Sequence, residues 1–439
     1  MHENVMCPVC GCTCDDIKVE VRDDEVCTQN ACVMGNAKFQ ELVSSHRIKN
    51  PQIKINGKLQ DTDWNTALNR AAEILVNAKN PAVFMGTETI CEAYHEGIKI
   101  ADYLGASIDG SFSQCHCPTG LGIQESGMVT GTLGETKNRA DLAIYWGTNP
   151  MSSHPRHMSH YAIFPRGKFT KQGRRGRKLV VVDPRKTRTA EMADLHVMLN
   201  PGKDYELIAV TRAALKGKEI DDIALEDIGI TRETFNKFLS TLKDAKFGAI
   251  CFGLGLASSS GKNHNTGALM RMVQELNEHT KFIMGIDMGH CNVAGFVQVM
   301  SYTTGYPYAV NFARGYPIYS PGEFTNADML ARREMDALLV NCADLAAHQP
   351  RKSVEWMAKI PVISIDIAPC PTTMLSDVVL PGVIAGMEAE GTFYRMDHVP
   401  LRINKFTDPP FDFTKSDADT LKQLLEKIKQ LKEKNNLIQ

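Results

Sequence analysis

No apolar run in this chain approaches the roughly 18 residues that a membrane-crossing helix needs, so no helical span is expected. The N-terminus, Met1-His2-Glu3-Asn4, lacks the basic stretch and apolar core of a secretory leader, which makes a cytoplasmic location the expectation. An excess of one charge is missing too. Lys and Arg number 49 against 51 Asp and Glu, and a net charge of -2 gives neither nucleic acid nor an anionic membrane a general attraction. What is present is an ordinary globular composition, 43% hydrophobic and 23% charged, which excludes disorder. At 439 residues the chain exceeds what one core organises, so two or three domains, interleaved or sequential, are expected.

Cysteine is where the composition departs from the average. There are 13, five of them before residue 28, and in a reducing compartment thiols bind metals or do redox chemistry more often than they pair. Cys7-x2-Cys10-x3-Cys14-x17-Cys32 places three thiolates to wrap one face of a cubane and a fourth to close it, with Pro8 and Gly11 shaping the loop, so these four read as metal ligands of one [4Fe-4S] cluster. Four cysteines also make a tetrahedral zinc site, although zinc ribbons usually pair two C-x2-C halves. Cys12 and Cys27 lie within reach and could replace a ligand.

The alternating stretch 17–21 predicts a strand with Asp23-Asp24 as its turn, inside a module too small to stand without its metal. A capped helix from Asp63 and a strand at 82–85 then begin an α/β domain. Two later stretches repeat each other. Strand 142–146, Gly147-Thr148-Asn149-Pro150 and strand 179–182 with Asp183 lead to Thr189 and Asp194; strand 337–340, Asn341-Cys342-Ala343-Asp344 and strand 362–366 lead to Thr372 and Asp377. Both end in Asp-x5-Thr-x4-Asp, and the first copy is longer by about the length of a basic stretch, Arg166 to Lys178. That loop is expected to be solvated or to dock a partner subunit rather than nucleic acid. A strand whose C-terminal end carries Asp, followed by small and hydroxyl residues, is how open α/β sheets hold ribose and phosphate, so two nucleotide-like sites are predicted. Helix capping by each Asp is the alternative.

Gln114-Cys115-His116-Cys117-Pro118-Thr119-Gly120 sets a thiol beside an imidazole, which suits metal ligation or nucleophilic attack with proton transfer. His154, His157 and His160 recur every three residues without carboxylate partners nearby in sequence; they read as lining a cofactor or a surface rather than holding a metal. The tail from about 416 has helical spacing and predicts a surface or docking helix.

In their order, these residues resemble the molybdenum- and tungsten-containing bis-pterin oxidoreductases of the formate dehydrogenase type, over most of the chain. Within them the chain looks most like the catalytic B-type chains of formylmethanofuran dehydrogenase, with which methanogenic archaea fix carbon dioxide onto methanofuran. The resemblance is carried by Cys7-Pro8-Val9-Cys10-Gly11, Cys14-Asp15-Asp16-Ile17, Asn30-Ala31-Cys32, Cys115-His116, Gly289-His290-Cys291-Asn292-Val293-Ala294-Gly295, and the stretch from Thr304-Gly305-Tyr306-Pro307 to Arg314-Gly315-Tyr316-Pro317.

The resemblance implies an α/β fold: a [4Fe-4S] module at 1–60, a discontinuous pterin-guanine-dinucleotide domain at 61–108 and 322–405, a second such domain at 109–321, and a helical tail at 406–439. It implies Cys115 as ligand to tungsten or molybdenum and His116 as the adjacent acid-base group. Gly147, Asn149, Asp183, Arg185, Thr187, Asp204, Gly253 and Gly255 would serve one of two molybdopterin guanine dinucleotides, Asp344, Asp366, Thr372 and Asp377 the other, with His290 and Asn292 beside them. The reaction implied is reduction of carbon dioxide to formate, with electrons from iron-sulfur partner subunits.

Two departures stand out. Met288 occupies the position of an arginine beside the metal in formate dehydrogenases, leaving Arg314 as the substitute catalytic anion-holding group. Met34 replaces a lysine between cluster and pterin, a place Lys38 could take. The chain ends soon after Gly386-Met387-Glu388-Ala389-Glu390-Gly391-Thr392, without a further β-barrel domain, so a D-type barrel subunit is expected to cover the site, together with amidohydrolase-like A-type, C-type and polyferredoxin-type subunits. Another enzyme on this scaffold, such as a formate dehydrogenase or a nitrate or polysulfide reductase, and a pterin-less electron-transfer subunit are the rival readings.

Overall fold

Five-residue apolar runs bounded by Gly, Pro and Asn are too short for core helices and suit strands buried on both faces. In the computed structural model, which describes residues 1–22 and 25–438, they form two parallel sheets. The turn expected at Asp23-Asp24 lies outside the described residues. Pro81–Met85, Leu142–Trp146, Gly248–Phe252 and Ala337–Asn341 are buried at every position.

The larger sheet has nine strands. Its parallel centre runs Ser107–Gly110, Pro81–Met85, Ala337–Asn341, Val362–Asp366, Val378–Pro381. The smaller sheet is wholly parallel and runs Phe282–Ile286, Gly248–Phe252, Leu142–Trp146, Lys178–Val182, Leu195–Val197. Position by position the two arrangements coincide, but the chain enters them at different points. The larger sheet is threaded from its first two strands to its last three, and the smaller from its last three to its first two. They are related as circular permutations of one five-stranded unit, and the repeat visible in the sequence is the shared three-strand half.

Antiparallel hairpins extend the larger sheet at both edges. Residues up to 60 are expected from sequence to go with the cysteine module, yet Gln52–Ile55 pairs with Val378–Pro381 and carries Lys58–Asp61 with it. Likewise Val310–Asn311 pairs with Ser107–Gly110 and with Ile318–Tyr319, although 109–321 is expected to form the other domain.

The N-terminal module is a three-stranded antiparallel sheet (His2–Val5, Ile17–Arg22, Glu25–Gln29) and the helix Val33–Gln40. Backbone bonds from Gly11 N to Met288 O (3.2 Å) and Met396 N to Gly11 O (2.9 Å) dock its loop. A bidentate ion pair adds to them: Arg47 Nη1 and Nη2 donate to Glu388 Oε1 and Oε2 at 2.7 and 2.9 Å, with both side chains 2% exposed.

The tail forms the helix Asp417–Ile438, one face of which is buried and the other exposed. Leu421, Leu424, Leu425 and Ile428 are buried, and the helix packs on Trp64–Asn77 and Cys91–Leu104. Its 3–4 residue apolar spacing is that of a helix covering a core. Among the described residues no helix is long and apolar enough to cross a membrane.

Candidate active site

In open α/β sheets ligands bind beyond the C-terminal ends of the strands where the strand order reverses direction. For the smaller sheet that point lies between Leu142–Trp146 and Gly248–Phe252, and a cleft of about 710 Å³ opens there. Gly147 turns out of the first strand at φ +58°, and a Cβ there would stand 2.4 Å from Leu256 N. Gly253 N and Gly255 N donate to Trp146 O (3.2 Å) and Gly147 O (2.8 Å), so these three glycines pack backbone on backbone as the cleft floor. Asn149, Asp183, Arg185 and Asp204 line the walls. Asp183 accepts from Arg185 N at 2.8 Å while the Arg185 side chain stays exposed. Asp204 accepts from Trp146 Nε1 at 2.8 Å, and burial raises its pKa.

The larger sheet repeats this. Its reversal lies between Pro81–Met85 and Ala337–Asn341, where a cleft of about 330 Å³ is lined by Asp344 and Asp366. Cys342 stands where the other sheet has Gly147 and takes the same left-handed turn, φ +54°. Burial lifts the pKa of Asp366 to about 6. Lys38, on the helix after Cys32, reaches this cleft and pairs with Glu88 at 2.5 Å.

Cys115 and His290 line both clefts. Cys115 sits in the first turns of the helix Ser111–Ser126, which starts directly after strand Ser107–Gly110, and burial pushes its thiol pKa up. Pro118, without an N–H and with its ring against the preceding turn, breaks this helix at His116 (φ −128°, ψ 23°). The His116 ring is 1% exposed with Nδ1 3.1 Å from Thr119 Oγ1, and burial lowers its pKa to about 4, so it is neutral at pH 7.

Cys7, Cys10, Cys12, Cys14 and Cys32 surround a small pocket with Met34 and Arg156. Cys27 is exposed on its strand and away from it. No three of these sulfurs lie within 4.8 Å of one another. Burial raises the pKa of Cys7 and lifts that of Cys14 to about 12. Arg156 holds Asp16 in a bidentate pair at 2.5 and 2.6 Å beside them.

Several expected residues go elsewhere. Arg314 is exposed on the turn between Val310–Asn311 and Ile318–Tyr319 and lines neither cleft. Antiparallel pairing with Ser107–Gly110 carries that hairpin toward Ala106, away from the strand end that launches Cys115. Asn292 is fully buried, giving Nδ2 to Thr89 O (2.7 Å) and receiving Tyr394 N at Oδ1 (2.8 Å). Thr187 caps the short helix Arg188–Glu191. Thr372 donates to Asp344 (2.8 Å) and receives Ala346 N (2.9 Å), matching Thr189 on Asn149 (2.6 Å) with Met151 N (3.3 Å). Asp377 accepts from Val362 N at 3.1 Å, as Asp194 does from Leu179 N at 2.7 Å, at the strand starts opposite the clefts. Of the two Asp in each Asp-x5-Thr-x4-Asp element, then, only the first faces a cleft.

Sequence alone missed Asp287, Thr148 and the serines 258–260 on the larger cleft. Asp287 follows an apolar strand just as Asp183 does, which was a usable signal.

A family model described as molybdopterin oxidoreductase matches residues 47–427. Over 433 residues the chain is 43% identical to the B chain of tungsten-containing formylmethanofuran dehydrogenase 2 from Methanocaldococcus jannaschii, covering 98% of each. It is 42% identical to the corresponding chain from Methanococcus maripaludis, covering 98% of this chain and 100% of that one. Among solved structures, acetylene hydratase from Pelobacter acetylenicus shares the fold with a TM-score of 0.74 at 13% identity, covering 97% of this chain and 69% of that one. A chain of the formyltransferase/hydrolase complex FhcABCD from Methylorubrum extorquens does so with a TM-score of 0.69 at 20% identity, covering 87% and 99%.

Proposed function

From the premise that the chain belongs to the molybdopterin oxidoreductase family, we propose that it reduces carbon dioxide to formate at a tungsten or molybdenum centre carried by two pterin guanine dinucleotides, with electrons arriving through a [4Fe-4S] cluster. The observation that carries this is the meeting of two equivalent clefts at one thiol, Cys115. Two copies of one nucleotide-like ligand, each in its own sheet and sharing one metal between them, fit that arrangement, and a single ligand does not need it.

Gly147, Asn149, Asp183, Arg185, Asp204, Gly253 and Gly255 would hold one dinucleotide, Asp344 and Asp366 the other, and His290 would touch both. Thr187, Thr372, Asp377 and Asn292 would hold the surrounding loops. The raised pKa of Cys115 disfavours a free thiolate, so its use as a ligand requires a cation beside it. When bound, the metal centre supplies the two-electron reductant. His116, neutral and shielded from water, takes up or gives the accompanying proton.

The cysteine geometry favours a cluster over zinc. Zinc–sulfur bonds of about 2.3 Å would set the sulfurs about 3.8 Å apart, and no three here come within 4.8 Å. Cys7, Cys10, Cys14 and Cys32 would ligate the cluster. His290, which lines both clefts, is exposed. That suits a complex in which a D-type barrel-domain subunit covers them and polyferredoxin-type subunits supply electrons. Formate would pass to the amidohydrolase-like A-type subunit, with a C-type subunit completing the assembly.

Cys115→Ser in the complex is the test. Carbon dioxide reduction should vanish while the cluster's EPR signal and the iron content persist; retained activity refutes the assignment. Assays with formylmethanofuran and with formate separate this reading from a free formate dehydrogenase, and iron without pterin would favour an electron-transfer subunit.

A further inference from the structure

The three histidines at 154, 157 and 160 share a spacing but not a place. His154 lines the larger cleft, His160 lies 3.9 Å from Asp16 near the surface, and His157 is wholly buried behind the cleft. Carboxylate and thiol partners absent from its sequence neighbourhood reach His157 from two strands of the smaller sheet. Cys251 comes from Gly248–Phe252, and Asp287 from the end of Phe282–Ile286. One ligand atom from each of His157, Cys251 and Asp287 lies within 4.8 Å of the other two, and the residues are 0%, 6% and 5% exposed.

The histidine and the carboxylate each have one atom engaged and one left over. His157 Nδ1 is 2.8 Å from Tyr145 Oη, and its Nε2 is buried without a partner. Asp287 Oδ2 accepts from Thr148 Oγ1 at 2.9 Å, and its Oδ1 is likewise buried and unpaired. Two orphaned polar atoms in one buried spot leave a desolvation penalty uncompensated if nothing joins them. An outer hydrogen bond that fixes the far atom of a ligating histidine or carboxylate turns the near atom's lone pair inward, and Tyr145 and Thr148 are placed to give that support here.

We propose that His157 Nε2, Cys251 Sγ and Asp287 Oδ1 bind a zinc ion behind the larger cleft, separate from the Cys115 centre and from the N-terminal cysteines. One thiolate and one carboxylate balance the charge of a divalent cation, and no Lys or Arg pairs with Asp287 among the described residues. Bonds of about 2.0–2.3 Å put tetrahedral ligand atoms about 3.3–3.8 Å apart, so a small contraction closes the site. Asp287 also lines the cleft, which gives the ion its way in. The ion ties the strand Gly248–Phe252, the turn before Met158–Ala162, and the segment that carries His290 to the clefts.

Anomalous diffraction at the zinc edge, from complex purified without chelator or added zinc, should show a peak flanked by these three atoms, and an empty position overturns the proposal whether or not variants fold. In the same complex, His157→Ala and Cys251→Ser should each lose one zinc per chain with the other metals unchanged. Zinc equal to wild type in a variant that keeps those metals overturns it as well.

Discussion

The Arg47–Glu388 pair is where the cysteine module meets the larger sheet, and it should be worth far more than a surface ion pair. Arg47 lies 341 positions before Glu388, and neither side chain is more than 2% exposed. Arg47→Met strands a carboxylate that also accepts Ile384 N at 2.8 Å. Glu388→Gln strands a guanidinium whose remaining contact is Gly382 O at 3.4 Å. Breaking a buried pair from either side costs about 3–5 kcal/mol, whereas replacing both partners by apolar groups of similar volume is close to neutral. Urea unfolding of the full chain should therefore show each single variant destabilised by about 3–5 kcal/mol. Arg47→Met with Glu388→Met should lose well under the sum, a coupling of about 3 kcal/mol. The same comparison read by iron content should show the singles holding less cluster. Single costs below about 1 kcal/mol, the range of exposed pairs, would refute the reasoning.

Gly35 lies 3.1 and 3.8 Å, measured from a hypothetical Cβ, from Cys7 Sγ and Cys32 Sγ; Gly35→Ala should lower iron per chain even though alanine favours the helix, and full iron retention would show that the pocket yields. Gly147→Ala should cost about 3 kcal/mol or more in thermal unfolding, since it adds a left-handed strain to a 2.4 Å clash, while Cys342→Gly at the equivalent turn should be neutral or stabilising by about 1 kcal/mol. Burial raises the pKa of Asp109 from 3.8 to about 6. A folded value above the unfolded one means the contribution to stability is complete below about pH 4 and is lost as pH climbs through 6, a change of about 3 kcal/mol. Asp109→Asn should flatten urea midpoints across that window, and an unchanged slope would assign it to other groups.

Strands were legible because burial on both faces writes itself as short apolar runs with Gly, Pro or Asn at their ends. The duplication was legible because both copies need the same three polar residues. Their individual jobs were not. A carboxylate near an apolar run can cap the strand's start, as Asp194 and Asp377 do, or face the cleft at its end, as Asp183 and Asp366 do, and spacing is silent on which. Arg314 and Asn292 were misplaced for a related reason: direction along an antiparallel partner and the exhaustion of an amide by Thr89 and Tyr394 are tertiary facts. The tail helix shows the limit of composition, since its lysines describe one face and its leucines the other.

The circular permutation has a consequence for synthesis on the ribosome. The smaller sheet is complete once residue 286 has emerged, all five of its strands lying between 142 and 286. By then the larger sheet has only its first two parallel strands, and Pro81–Met85 must wait for Ala337–Asn341 with its hydrogen-bonding edge open. Nascent chains would pass through a state in which one half is folded and the other exposes an apolar strand edge, a hazard for aggregation. Stalling translation between about residue 290 and 335 should trap that half-folded species, with the 142–286 segment protease-resistant and the N-terminal strands cleavable.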